Sequence, residues 1–223
     1  MVSLTTVVKR MVFFKKGPAL MYFFAKLTGG WHTAFHQGSQ FTQPLGRQGG
    51  SCHGLSVSWL AAKRRYCRLD PRGNTVTLQS RFWSGSPTKV NTIDQRQLNG
   101  PSSLVYHATL TQAGLNPGAT FSFDDIDGGA AAGIARMAWL MWHRGSFGNR
   151  YYLMVCATHT MAVTTSLRTA RFFDPNGGEV VFATRAQFVA FLIMWLTQKD
   201  VWKVCFGGPR GQASLDIQLH EVT

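Results

Sequence analysis

Acidic residues are scarce in this chain. Ten Asp and Glu stand against 23 Lys and Arg, and no acidic residue precedes Asp70. Ten basic residues do: Lys9, Arg10, Lys15, Lys16, Lys26, Arg47, Lys63, Arg64, Arg65 and Arg68. A field of this sign favours anionic partners such as lipid headgroups, nucleic acid or an acidic protein surface. A solvated basic face that only keeps the protein soluble is the plainer alternative. Nucleic-acid binders usually carry a recognition helix or an aromatic platform, and neither is evident, so no nucleic-acid partner is expected.

Cysteine is sparse too. Cys52, Cys67, Cys156 and Cys205 are far apart, with no Cys-x-x-Cys pair. That excludes a disulfide framework for a chain of 223 residues and suits a reducing compartment. No run of 18 residues is free of charge or breaker; the nearest, Met11–Leu27, is interrupted by Lys15, Lys16, Gly17 and Pro18. A membrane-spanning helix is therefore not expected. The same stretch loosely mimics a secretory signal but lacks a small-residue cleavage site, which disfavours cleaved export and leaves specialised export of an uncleaved N-terminus open. There is no Gly-x-x-x-x-Gly-Lys loop and no Gly-x-Ser-x-Gly elbow, so neither a P-loop nor that serine-hydrolase signature is present.

What is present is the composition of a globular protein. Hydrophobic residues make up 45% of the chain, enough to bury a sizeable core in one domain with short extensions. Residues 18–26 read as a helix begun by Pro18 and stopped by Gly29-Gly30, with Leu20, Phe23, Phe24 and Leu27 on one face. That face suits either a membrane surface or the body of the protein. Residues 31–50 and 69–103 read as loops, and 103–115 as a helix ended by Asn116-Pro117-Gly118. Asp124-Asp125-Ile126-Asp127 suits the capped start of a helix over Gly128–Arg144, with a divalent-cation site as the alternative. Strands are expected at Arg150–Thr158, His159–Thr165, Ala170–Asp174, Glu179–Phe182, Val201–Phe206 and Ala213–Val222, with a helix at Arg185–Gln198. The order is α+β: helices first, then an antiparallel sheet with one helix inserted. A basic extension over 1–45 and a domain over 46–223 are the expected division.

The chain is organised around Gly49-Gly50-Ser51-Cys52-His53-Gly54-Leu55-Ser56-Val57-Ser58-Trp59-Leu60. Two glycines permit a sharp turn, and Leu55, Trp59, Ala62 and Tyr66 then recur at helical spacing. The Cys52 sulfur thus falls at a helix N-terminus, where free N–H groups and the dipole favour thiolate. A buried structural cysteine is the competing reading. A thiolate nucleophile needs a base, and the base an orienter. Among seven histidines, His53 diverges from Cys52 on the helix, while His159 sits in a strand. If that strand pairs with Ala170–Asp174, Asp174 falls close to opposite His159 and can accept its N–H. Asp174 also precedes Pro175-Asn176-Gly177-Gly178 and suits the start of an Asx turn. Cys156 and His159 have zinc-like spacing, but residues three apart on a strand face opposite ways and no second ligand pair is evident. No metal or cofactor is expected.

With Cys52, His159 and Asp174 assembled, the sequence resembles the YopT/AvrPphB family of papain-like cysteine proteases. The likeness is carried by Gly50–Leu60, by His159-Thr160-Met161-Ala162-Val163, and by Phe172-Phe173-Asp174-Pro175-Asn176-Gly177-Gly178-Glu179. The resemblance implies a papain-like fold and a bacterial virulence effector, delivered by a specialised secretion system, that cleaves host proteins. Some members also process their own N-terminus. It further implies an oxyanion hole built from the Cys52 N–H and an upstream side-chain amide, for which Gln48 is the candidate and Gln43 a second. Related Cys-His-Asp effectors deamidate or transamidate Gln or Asn, which makes that chemistry an alternative. A non-catalytic basic adaptor on a membrane or nucleic acid is the alternative outside enzymes.

Overall fold

The computed structural model describes residues 17–35, 52–66, 109–124, 129–209 and 213–223. In chain order these form helix α1 (17–28), strand β1 (Trp31–Ala34), helix α2 (Cys52–Tyr66), strand β2 (Pro117–Asp124) and helix α3 (Gly129–Gly145). Then come β3 (Arg150–Cys156), β4 (Thr160–Thr165), β5 (Ala170–Asp174), β6 (Gly178–Phe182), α4 (Arg185–Thr197), α5 (Lys199–Phe206) and β7 (Asp216–Val222). Gln43, Gln48, His36, His107, Asp125, Asp127 and the 69–103 loop lie outside the described residues.

The seven strands make one sheet in the order β1-β6-β5-β4-β3-β7-β2, and every neighbouring pair runs antiparallel. Its central strands are buried on both faces, which is why Phe172-Phe173 and Leu153-Met154 read as continuous apolar runs rather than alternations. On one face Phe172, Met161, Val163 and Met154 meet Phe188, Phe191, Leu192 and Trp195 of α4, Met137 and Met141 of α3, and Met21 of α1. On the other, Leu153, Ala162 and Phe173 meet Leu55, Trp59 and Leu60 of α2. The expected α+β architecture is thus present, as a sheet between helices.

Several elements differ from the sequence reading. Val201–Phe206, expected as a strand, lies in α5. The Gln198 side chain caps it, accepting from the Asp200 and Val201 N–H groups at 2.7 and 2.9 Å, and Gly207 ends it with φ 76°. Its buried residues, Val201, Trp202, Cys205 and Phe206, have helical spacing, although Val and Trp taken singly suit strands. Of the helix expected over 103–115, residues 109–112 are helical and 113–114 form the turn that ends it, while 103–108 lie outside the described residues; Pro117 opens β2. An edge strand tolerates proline at its first position because the missing donor is not needed.

Trp31–Ala34, expected as loop, pairs with β6 as the other edge of the sheet. Helix α1 turns a different face inward from the one expected. Met21 and Ala25 are fully buried, with Leu20 and Phe24 leaning on them, whereas Phe23 and Leu27 are more than half exposed. Residues 17–34, on the N-terminal side of the boundary expected at 45, therefore contribute a core helix and a sheet strand.

Candidate active site

Cys52 is the first residue of α2. The helix is packed on nearly all sides, since residues 53–60 are all buried. Small residues make that packing feasible: the Ser56 hydroxyl, one turn beyond the cysteine, donates to the Thr160 carbonyl at 3.0 Å. The helix start is thereby fixed against the residue that follows His159. Burial pushes the half-buried Cys52 thiol up, but the hydrogen bond and charge of His159 pull it down, as do the N–H groups of Thr160 and His53. The net shift is downward, toward thiolate.

His159 lies immediately before β4, at the mouth of the strand rather than within it. Its carbonyl accepts from the Cys156 N–H at 2.8 Å, and the Thr158 N–H donates to the Cys205 carbonyl at 3.0 Å. The C-terminal end of α5 therefore anchors the tight turn that carries the histidine. Ala162 pairs with Phe173, so extending the register by one residue sets Asp174 against Met161. His159 is two residues further along on the same face. Its ring crosses that step, and Nε2 donates to Asp174 Oδ1 at 2.9 Å. The other ring nitrogen, Nδ1, remains for the Cys52 sulfur. Burial alone would lower the imidazole's pKa. The Asp174 charge and hydrogen bond, with a smaller contribution from Cys52, raise it well above its ordinary value.

Asp174 ends β5, and its carboxylate makes both a histidine contact and a turn contact. Oδ1 accepts from His159 and also from the Asn176 N–H at 2.8 Å, which is an Asx turn. The turn orients the carboxylate instead of competing with the histidine. Oδ2 accepts from Trp195 Nε1 at 3.1 Å. Asp174, Asn176 and His159 are all nearly inaccessible to water. Gly178 follows with φ 118°, and a Cβ there would sit 2.2 Å from the Thr33 carbonyl, so only glycine fits against β1.

A buried charged cluster stands behind this site. Glu179 accepts from Lys63 Nζ at 2.7 Å and Arg171 at 3.1 Å through Oε1, and from Trp59 Nε1 at 3.0 Å through Oε2. Lys63, one of the ten basic residues that precede Asp70, is only 1% exposed. It ties α2 to the strand after Asp174.

The structure thus brings Cys52, His159 and Asp174 together; Gln48 lies outside the described residues. The remaining described histidines serve elsewhere. His32 Nε2 bonds the Gly177 carbonyl at 2.9 Å, His143 stacks on Trp139, and His220 Nδ1 meets Thr120. The His53 ring is buried near His220, and burial with that neighbour lowers its pKa to about 4. Cys156 hydrogen-bonds to Cys205, which with burial raises the Cys205 thiol well above its ordinary range. Among the described residues no three His, Cys, Asp or Glu side chains gather as a metal site, and no helix is long and apolar enough to cross a membrane. The helix expected over Arg185–Gln198 carries Trp195, whose polar bond to Asp174 the apolar pattern of that segment does not reveal. The general need of a buried indole N–H for a partner was the available signal.

A family profile described as Yersinia/Haemophilus virulence surface antigen matches residues 25–204. No curated protein sequence matches. Among solved structures, the fold is similar to the Pseudomonas avirulence protein AvrPphB, with TM-score 0.56 and 15% identity over 78% of this chain and 92% of that one. It is also similar to the cysteine protease-like domain of the Photorhabdus asymbiotica toxin PaTox, with TM-score 0.49 and 11% identity over 97% of this chain and 62% of that one. The AvrPphB likeness bears on the fold, which is papain-like.

Proposed function

Because the chain belongs to the Peptidase C58 family, we propose that it is a cysteine endopeptidase with Cys52 as nucleophile, His159 as acid and base, and Asp174 as orienter. The observation that carries this reading is the unbroken link from the Cys52 sulfur through His159 to Asp174 Oδ1. The opposite shifts of the thiol and the imidazole favour a thiolate–imidazolium pair in the resting protein.

The Cys52 thiolate attacks a peptide carbonyl, and the Cys52 N–H at the helix start donates to the oxyanion that forms. The imidazolium gives its proton to the departing amine, leaving an acyl-thioester on Cys52. His159 then takes a proton from water as the water attacks the thioester. The carboxylic acid leaves and the thiolate is restored. Asp174 stays ionised and keeps Nε2 turned toward itself. A Gln48 amide beside the oxyanion belongs to this reading as the second donor.

The substrate in this proposal is a host protein, reached after export from a bacterium. The accompanying proposal is that an anionic membrane concentrates the enzyme. Phe23, Leu27, Tyr22 and Trp31 are each at least half exposed on α1 and β1, near Lys26, which supports that location. Sedimentation with phosphatidylserine vesicles, but not with phosphatidylcholine vesicles, is expected, and equal binding to both removes the electrostatic part.

The deciding experiment compares eukaryotic lysate with its membranes after exposure to wild type or Cys52→Ala. New protein N-termini that appear only with wild type are expected. Deamidated or transamidated glutamine or asparagine without new termini would replace proteolysis by that chemistry on the same thiol. Identical changes with both proteins would remove Cys52 as nucleophile.

A further inference from the structure

We propose that Trp195 is a positioning residue of this hydrolase, its indole N–H holding Asp174 Oδ2 so that Oδ1 stays directed at His159. The inference rests on the Cys52–His159–Asp174 reading and assigns the group that keeps its last member in place.

The carboxylate of Asp174 sits at the end of a strand, beside a turn rather than inside a ladder. The torsion that carries a carboxylate is soft and nearly two-fold, so two donors on one oxygen leave its plane poorly fixed. His159 Nε2 and the Asn176 N–H both use Oδ1. Among the described residues Trp195 Nε1 is the one donor to Oδ2, at 3.1 Å. It comes from the opposite side of the group, from α4 instead of the strand or turn. Three donors from three elements then define the plane of the carboxylate.

The indole itself has no freedom to turn away. Trp195 is fully buried, stacked on Phe191 with ring centroids 6.1 Å apart and planes 10° from parallel. Phe24 of α1 meets its ring edge-on at 6.3 Å. The helix that carries Trp195 is locked in turn by the capping box of Thr184 and Gln187. With Asp174 2% exposed, no bulk water competes for Oδ2. A bond that only satisfied a buried indole would predict loss of stability on its removal and no change in the thiol's chemistry.

The test uses iodoacetamide as a probe of the Cys52 thiolate, followed by mass spectrometry of the Cys52 peptide across a pH series. Four proteins are compared: wild type, Trp195→Phe, Asp174→Ala and the double variant. Trp195→Phe is expected to slow alkylation at neutral pH about tenfold, the scale of one hydrogen bond to a charged group. It is also expected to move the onset of reactivity upward, in the direction that Asp174→Ala moves it. In the Asp174→Ala background the same change should do nothing further. Equal slowing in both backgrounds, or none in wild type, overturns the proposal while Asp174→Ala still slows alkylation. An unchanged profile in Asp174→Ala overturns the triad reading itself, and this inference with it. If Phe at 195 fails to fold, benzothienylalanine at that position keeps the bicyclic shape and removes only the N–H, and the same outcomes apply.

Discussion

Trp59 lies flat on Phe173, with ring centroids 5.4 Å apart and planes 8° from parallel. Trp59 is on the helix that begins with Cys52, and Phe173 directly precedes Asp174. The stacked pair sets how far the start of α2 stands from the end of β5. Both rings are buried, and the indole N–H is anchored on Glu179 at 3.0 Å. Trp59→Ala should destabilise the protein by about 3–5 kcal/mol, the usual cost of emptying an aromatic core site. Urea unfolding measures this, and a loss under about 1 kcal/mol would show that the site collapses without consequence.

Glu179 is a carboxylate shared by Lys63 and Arg171. Glu179→Ala takes this carboxylate from both cations, and breaking a buried pair from one side costs about 3–5 kcal/mol. Glu179→Gln, which keeps the shape and an acceptor oxygen, should recover only part of that. Thermal unfolding of the two variants gives the comparison. Equal stability of wild type and Glu179→Ala would remove the cluster as the tie between α2 and the sheet.

Cys52 and His159 hold each other's charge. The thiol is lowered and the imidazole raised, so the paired form spans the pH range between the lowered thiol and the raised imidazole. Its contribution is lost as pH falls through the Cys52 value or rises through the His159 value. Activity should therefore be bell-shaped in pH, with the acidic limb below an ordinary thiol and the alkaline limb above an ordinary imidazole. In Cys52→Ala the imidazole loses one of the influences that raise it, so NMR titration should find His159 releasing its proton at lower pH. An identical titration in both proteins would mean the two groups are uncoupled.

His53 bears on stability in mild acid. It is 2% exposed, and burial with the neighbouring His220 depresses it to about 4. The unfolded chain binds this proton near its ordinary value while the folded chain refuses it. Stability should fall as pH drops from about 6.5 toward about 4, by up to about 3 kcal/mol. His53→Gln should flatten that slope in urea titrations at several pH values. An unchanged slope would assign the acid sensitivity to other groups, such as the similarly lowered His32.

The string Phe172-Phe173-Asp174-Pro175-Asn176-Gly177-Gly178-Glu179 shows how much was legible in the sequence. Phe172 and Phe173 face opposite cores, Asp174 meets His159, Asn176 closes the Asx turn, Gly178 needs positive φ, and Glu179 neutralises Lys63. The choice of Cys52, His159 and Asp174 needed only a helix start, a strand mouth and a turn. Each of these is written in short-range patterns of glycine, β-branched residues and aspartate.

Other features depended on partners far away in the chain. The spacing of Val201, Trp202, Cys205 and Phe206 fits a helix, but eight residues are too few for periodicity to outweigh β-branched content; packing on α4 and the Gln198 cap decide it. Trp31–Ala34 and Pro117–Asp124 become strands because β6 and β7 offer them open edges. Strand pairing is a property of the neighbour as much as of the segment.

Lys63 belongs to a basic stretch of sequence yet is buried against Glu179, and Trp195 belongs to an apolar helix yet gives its N–H to Asp174. The sequence by itself determined which residue types meet at the site, because a cysteine at a helix start, a histidine at a strand mouth and an aspartate at a turn are each set by local signals. Only the tertiary structure decided what holds them, because a buried charge or indole N–H finds its partner through three-dimensional proximity, which no local pattern records.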